Sequence, residues 1–279
     1  MSIRIHRPTL CRIFGLVSFA LASSMQPVMA DCPEGNVAGY QLVMHVDWRD
    51  GIPRWAGTQT ATAEATTIVK SKSGSDRRLR IQINRSDPFG HVANGVPRAE
   101  VSLGATKFIN GNDYLLDWST TLSKDFPVDF EQPEIVTQIL QGGPALGAPP
   151  IALVINGDHY ELRVHSDQPH SMRADKFGSI AEDRGRTVCW RLHYLPGAVG
   201  EKSITELYKD GQLVVSEYDR GNAYVGDHDA SLKVGVYKWL WLAQTSDVHD
   251  LVLEYGNVRL FRKDPVSAGA LGSESEGRP

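Results

Sequence analysis

Apolar and polar residues alternate with a period of two along most of this chain. "YQLVMHVDW" (40–48), "RRLRIQINR" (77–85), "RAEVSLG" (98–104), "DYLLDWSTTL" (113–122) and "EIVTQILQ" (134–141) each read as a strand. So do "IALVING" (151–157), "HYELRVHS" (159–166), "TVCWRLHYL" (187–195), "SLKVGVYKW" (231–239) and "DLVLEYGNVRLFRK" (250–263). Asp210-Gly211, inside "ELYKDGQLVV", predicts a tight hairpin, and Asn156-Gly157 predicts a second. Helical periodicity is nearly absent; the best candidate, 171–182, has no clean apolar face. Many short strands divided by Gly/Pro/Asn/Asp turns predict an all-β fold, an antiparallel β-sandwich or jelly roll with a concave groove.

One strand breaks the usual pattern. In "SLKVGVYKW", Val234 and Val236 suit a core face, whereas Lys233, Gly235, Tyr237 and Trp239 share the opposite face. That second set makes a poor core and a good gripping surface. Trp241 follows it and is expected to be buried.

The two ends of the 279-residue chain do not fit the pattern. Residues 1–30 combine Arg4, Arg7 and Arg12, a short apolar run and a small-residue site at Ala30, which reads as a cleaved signal peptide. Its apolar run is too short to anchor the chain in a bilayer. A periplasmic or secreted protein, free of the membrane after cleavage, is therefore expected. Residues 264–279 are small, polar and aperiodic and are expected to be disordered. Between them, 31–263 forms a single domain, expected to be a monomer.

Losing the signal takes the formal net charge from −4 to −7, because it carries three arginines and no acid. Such a domain has no general attraction for nucleic acid, so an anionic ligand would need a local basic cleft. Cys11 leaves with the signal. Cys32 and Cys189 remain in an oxidising compartment, and a disulfide between them is expected. No CxxC or HxxxH spacing suggests zinc.

Four stretches carry candidate chemistry. Arg98 and Glu100 share a strand face, as a solvated pair or as the lining of a groove. Gln138 sits mid-strand among apolar residues, where a buried amide needs partners. The Gly/Pro-rich loop "SDPFGHVANGVP" holds His91, a candidate base, and Asn94, a candidate substrate contact. Lys233 and Tyr237 lie about 13 Å apart along one strand face, a gap two long side chains narrow. Nearby cations would ease proton transfer through the phenol. The GxSxG, GxxxxGK[ST] and HExxH patterns are absent. So is the run of alternate acids expected of a β-sandwich glycoside hydrolase.

In order along the chain, "PRAEV", "VTQIL" and "LKVGVYKW" resemble the β-jelly-roll polysaccharide lyases. Alginate lyases of this fold carry R-x-E, Q-I-H and Y-x-K-x-G-x-Y strands. The layout here is more similar to the heparin lyase I and glucuronan lyase families, over roughly 40–262. The resemblance implies β-elimination on a uronic-acid polysaccharide, an anionic partner, and structural calcium with no cofactor needed for the chemistry. It gives Arg98 and Gln138 the task of neutralising the sugar carboxylate. Tyr237 becomes the acid, Lys233, Glu100, Asn94 and Trp239 the substrate contacts. Two positions depart from the alginate-type pattern: Leu140 stands where the histidine would be, and Ser231 where the first tyrosine would be. The base is then His91 or Tyr237 itself. A non-catalytic, lectin-like jelly roll and a glycoside hydrolase on the same fold are the alternatives.

Overall fold

The structure is a computed structural model that describes residues 32–71, 76–143, 147–167 and 172–264. The expected signal segment and the tail beyond Asp264 lie outside the described residues. The strands are β1 (Tyr40–Val46), β2 (Gly57–Thr60), β3 (Thr66–Lys70), β4 (Arg77–Asn84), β5 (Arg98–Phe108) and β6 (Tyr114–Leu122). They continue with β7 (Glu134–Leu140), β8 (Ile151–Asn156), β9 (His159–Val164), β10 (Arg173–Phe177) and β11 (Thr187–Leu195). The last are β12 (Ile204–Lys209), β13 (Gln212–Tyr218), β14 (Ala230–Tyr237), β15 (Asp250–Tyr255) and β16 (Val258–Lys263).

They build two antiparallel sheets, as the alternation predicts. One has seven strands in the order β10-β9-β8-β7-β14-β5-β2. The other has nine: β13-β12-β11-β6-β15-β4-β3, with β16 also on β6 and β1 on β16. Alternate residues of each sheet fill the layer between them. Ala99, Val101 and Leu103 of β5 and Leu232, Val234 and Val236 of β14 meet Leu116, Trp118, Trp190 and Leu192 of the larger sheet in one buried cluster. Burial of such side chains contributes roughly 1.5–3 kcal/mol each. The other parity of the seven-stranded sheet is left to form a working face.

Three strands carried too weak a pattern to predict: β2, β3 and β10. Each is a sheet edge. Edge strands pack on fewer sides and tolerate polar residues, so "GTQT" needs no apolar row. β10 and the single helical turn Ile180–Asp183 occupy the stretch where a helix was the best candidate. The Asp210-Gly211 hairpin forms as expected, with Lys209 opposite Gln212 and φ of 51° and 80° at its two turn residues. The second hairpin turns one residue later than expected: Asn156 pairs with His159, and Gly157-Asp158 is the loop.

The Cys32–Cys189 disulfide is present, with Cα atoms 5.5 Å apart. It fastens the segment before β1 onto β11, on the outer face of the nine-stranded sheet.

Candidate active site

Register brings the distant motifs together. Across β5 and β14, Arg98 is opposite Tyr237, Glu100 opposite Gly235 and Ser102 opposite Lys233. Across β14 and β7, Lys233 is opposite Gln138. Arg98, Glu100, Gln138, Lys233 and Tyr237 therefore meet on the outer face of the seven-stranded sheet.

Glu100 is the hub. It is 1% exposed, and its carboxylate faces Arg98 Nη1 at 3.4 Å and Lys233 Nζ at 3.8 Å. It also accepts a hydrogen bond from Gln138 Nε2. Burial pushes the Glu100 carboxyl up, against the pull of Lys233 and Arg98. Burial likewise pushes the Lys233 ammonium down; Glu100 opposes this and Arg98 adds to it. A lone carboxylate enclosed by two cations and an amide is not the paired-acid geometry of glycoside hydrolysis. Gln138 keeps its Oε1 buried with no hydrogen-bond partner among the described residues, so its Nε2 is the end turned to Glu100.

Tyr237 and Trp239 form the rim. The Arg98 guanidinium carbon lies 4.0 Å from the Tyr237 ring centre, a cation–π contact that holds the ring. Trp239 is tilted against Tyr237 at 5.8 Å between centroids, and both pack on Ile135, Ala152 and Val154. Both rings stay partly exposed. None of the hydrogen bonds that tie the cluster together uses the Tyr237 hydroxyl.

Two features of this face are not set by simple alternation. Gln138 does not share a parity row with Val136. A register shift between Ile135 and Thr137 puts Val136 in the main core and Ile135 on the working face beside Gln138. The Tyr255 hydroxyl closes that irregularity, donating to the Val136 carbonyl and accepting from Gly235 N at 3.1 Å. Gly235 is set by backbone packing. Its φ is 135°, and a Cβ there would lie 2.1 Å from the Ala99 carbonyl oxygen. The residue is dictated by the close approach of β5. Trp241 is fully buried, as expected.

His91 and Asn94 remain in the loop before β5, both exposed, His91 closing the short turn Phe89–His91 and Asn94 at φ 61°. Neither enters the hydrogen bonds and ion pairs of the cluster. The loop does reach the Tyr237 end of β14, because Lys238 N donates to the Pro97 carbonyl at 3.1 Å.

The structure adds residues that the sequence reading did not single out. Gln59 of edge strand β2 accepts from Lys233 Nζ at 2.9 Å and from Arg98 Nη1 at 3.4 Å. Arg163 of β9 lies 5.9 Å from the Trp239 ring centre and is paired to Glu161 at 2.8 Å. Its signal was available: "HYELRVHS" has the same polar parity as "SLKVGVYKW". His165 continues that row, with Nδ1 3.0 Å from the Pro149 carbonyl. By register it lies three strands across and four residues along from Tyr237, about 19 Å away, too far to share a proton path. Lys238 is wholly buried between Asp129 and Glu134, 2.8 Å from each, and pins the turn that carries Trp239. Burial pushes the Glu134 carboxyl up to about 7, with Lys238 opposing.

Among the described residues no group of three or more His, Cys, Asp or Glu side chains is arranged to hold a metal ion. The calcium implied by the resemblance therefore finds no carboxylate cage there, and no chemistry is assigned to it.

The site is thus a sandwich face that carries buried cations, an amide and partly exposed aromatic rings. The chain belongs to the polysaccharide lyase family, whose pattern matches residues 40–252. It is thus an enzyme, and the hydrolase and lectin alternatives give way to a lyase. Its fold is similar to that of the endo-β-1,4-glucuronan lyase of the fungus Trichoderma reesei, with a TM-score of 0.63 at 15% identity over 79% of this chain and 95% of that one. It is also similar to alginate lyase A1-II′ (TM-score 0.52, 15% identity, 73% of this chain and 85% of that one). Alginate lyase Aly36B in complex with an alginate trisaccharide gives 0.51 at 13% identity, over 78% and 96%. No curated protein sequence matches the chain.

Proposed function

We propose that this lyase cleaves a uronic-acid polysaccharide by β-elimination, leaving a 4,5-unsaturated uronate end, and that it works in the periplasm or outside the cell. The observation that carries the reading is the convergence of Arg98, Gln138 and Lys233 with an unengaged Tyr237 hydroxyl on one open face. The substrates named for the structurally similar proteins, glucuronan and alginate, are both polyuronates. The Cys32–Cys189 bridge supports an oxidising compartment.

The chemistry follows from charge. The C5 proton beside an ionised carboxylate is very weakly acidic. Arg98 and the free N–H of the Gln138 amide donate to that carboxylate and stabilise the negative charge that builds there as the proton leaves. Glu100 holds both donors in place. Tyr237 takes the C5 proton and returns a proton to the departing 4-oxygen as the C4–O bond breaks and the C4=C5 double bond forms. Trp239 supports a sugar ring, with Lys233 and Arg163 near neighbouring carboxylates. A second reading gives proton abstraction to His91, favoured by the hydrogen bond that seats its loop against Lys238.

The test is an ultraviolet assay for the unsaturated product on glucuronan, alginate and heparin, with Tyr237→Phe and His91→Asn beside the parent. Loss of turnover in the tyrosine variant alone supports the single-residue path; loss in both supports the histidine. No product from any polyuronate would dismiss the substrate class.

A further inference from the structure

A large cavity lies away from the cluster described above. It has a volume of about 780 Å³ and lies on the outer face of the nine-stranded sheet. Its floor is Asp117 and Ser119 of β6 with Thr187, Cys189 and Arg191 of β11, whose intervening residues Trp118, Val188 and Trp190 pack the core. The segment that starts at Cys32 lies along one side, held by the disulfide and by Asn257, which donates to Glu34 at 3.1 Å.

The charge balance of this cavity is unusual. Arg78 and Arg259 both line it, and both are only 7% exposed. Among the described residues neither has a carboxylate within ion-pair distance. Arg78 donates to two hydroxyls, Thr121 Oγ1 at 2.5 Å and Thr187 Oγ1 at 2.9 Å. Arg259 donates through Nη2 to the Gly35 carbonyl, and its Nη1 is buried with no partner. Of the four acids on the walls, Asp117 holds Arg191 through both oxygens, at 2.7 and 2.8 Å, and Glu206 accepts from His193 at 2.8 Å; Glu34, which accepts from Asn257, and Asp76 are exposed to solvent. Buried charges are ordinarily paired, since an isolated one costs several kcal/mol of lost hydration. Two buried guanidiniums around one open cavity, one with a spare donor, are the arrangement for receiving an anion, and the guanidinium fork matches a carboxylate.

We propose that this cavity is a second saccharide site, which holds a carboxylate-bearing oligosaccharide on the face opposite the reaction cluster, its carboxylate bound by Arg259 and Arg78. The volume lies within the usual range for ligand sites, about 300–1,000 Å³. Ser119 and Tyr208 carry further hydroxyls on the walls for sugar hydroxyls. The choice of an acidic saccharide over another anion rests on the polyuronate reading above. Such a site would keep the enzyme on a polymer between cuts, and the disulfide would keep its wall in place.

The experiment is hydrogen exchange on the full protein with and without a uronate trisaccharide, beside the ultraviolet assay. Slower exchange at 187–193 and 257–259 is expected, in addition to any change on β5 and β14. Arg259→Gln and Arg78→Gln should each abolish that protection and weaken trisaccharide binding there about tenfold or more, while turnover of the trisaccharide stays at the parent level. Protection confined to β5 and β14, or unchanged in both folded variants, would overturn the proposal. So would equal protection by inorganic phosphate, which would mark a simple anion site. The exchange measurement on the parent stands even where a variant fails to fold. An outer face that protects without any unsaturated product would refute the lyase substrate and leave the site; product without outer protection would do the reverse.

Discussion

Arg98 and Tyr237 are register partners across β5 and β14, and the guanidinium of one lies 4.0 Å from the ring centre of the other. On the proposed mechanism, the carboxylate-binding donor and the proton-transfer group are thus held as one unit. Arg98→Lys keeps the charge but loses the planar fork and the stacking, and should lower kcat/KM by about a hundredfold with little change in Tm. Tyr237→Phe should lower kcat by about 10²–10⁴-fold. Initial rates of unsaturated product measure both, and an Arg98→Lys enzyme with parental kcat and KM would separate the two roles.

Glu100 is placed as the clamp of the floor rather than as a reacting group. Glu100→Gln keeps its shape but leaves Arg98 and Lys233 buried together without a counter-charge. The expected cost is about 3 kcal/mol of stability, together with a fall in kcat as Gln138 loses its anchor. Urea unfolding and turnover, measured on the same preparation, test the pairing of these two losses.

Gly235→Ala should be among the most damaging of the small substitutions. The new methyl would meet the Ala99 carbonyl and would need a φ of 135°. The positive φ alone costs on the order of 1–3 kcal/mol, and parting β5 from β14 adds to it. A sharp fall in Tm or in soluble yield is expected; a parental melt would show that the strands can part freely.

His193 bridges two acids, Asp113 at 2.9 Å and Glu206 at 2.8 Å. The hydrogen bond to Asp113 raises the imidazole above its usual value; burial opposes and Glu206 assists. Its contribution to stability is therefore complete below the unfolded value of about 6.5 and is lost as pH rises through the folded one. Asp113 behaves in the opposite sense. Burial works against it, but hydrogen bonds from His193 and Tyr40 hold it down at about 2. Its contribution, about 2 kcal/mol, is present above pH ~4 and is lost as pH falls towards 2. Thermal melts across pH should show both limbs, and His193→Gln should flatten the alkaline one.

The Cys32–Cys189 bridge closes a loop with a sequence separation of 157. In the chain-entropy model such a link contributes about 4–5 kcal/mol. Cys32→Ser, or reduction of the parent, should lower the urea midpoint accordingly; an unchanged midpoint would place the stability elsewhere.

Much of this was legible in the one-dimensional pattern. Period-two alternation fixed most strands, because one face of each had to meet the other sheet. The wrong-looking parity of Lys233 and Tyr237 marked a face unsuited to a core, and the resemblance of "PRAEV", "VTQIL" and "LKVGVYKW" to the lyase strands joined Arg98, Glu100 and Gln138 to it. The edge strands β2, β3 and β10 escaped because edge positions make few demands on side chains. Gln59 escaped with β2, and Arg163 because β9 reaches the β14 face only across β7 and β8, a placement no local pattern encodes.

By itself, then, the sequence determined the sandwich, the disulfide partners and five residues that gather on the outer face of the seven-stranded sheet, Arg98, Glu100, Gln138, Lys233 and Tyr237. Only the tertiary structure decided that Glu100 is the hub, that Gly235 is required by the Ala99 carbonyl, that Gln138 sits beyond an irregularity in β7, and that two buried arginines face a cavity on the far sheet. These are relations between strands far apart in the chain. Register and close packing set them, and no local periodicity encodes either.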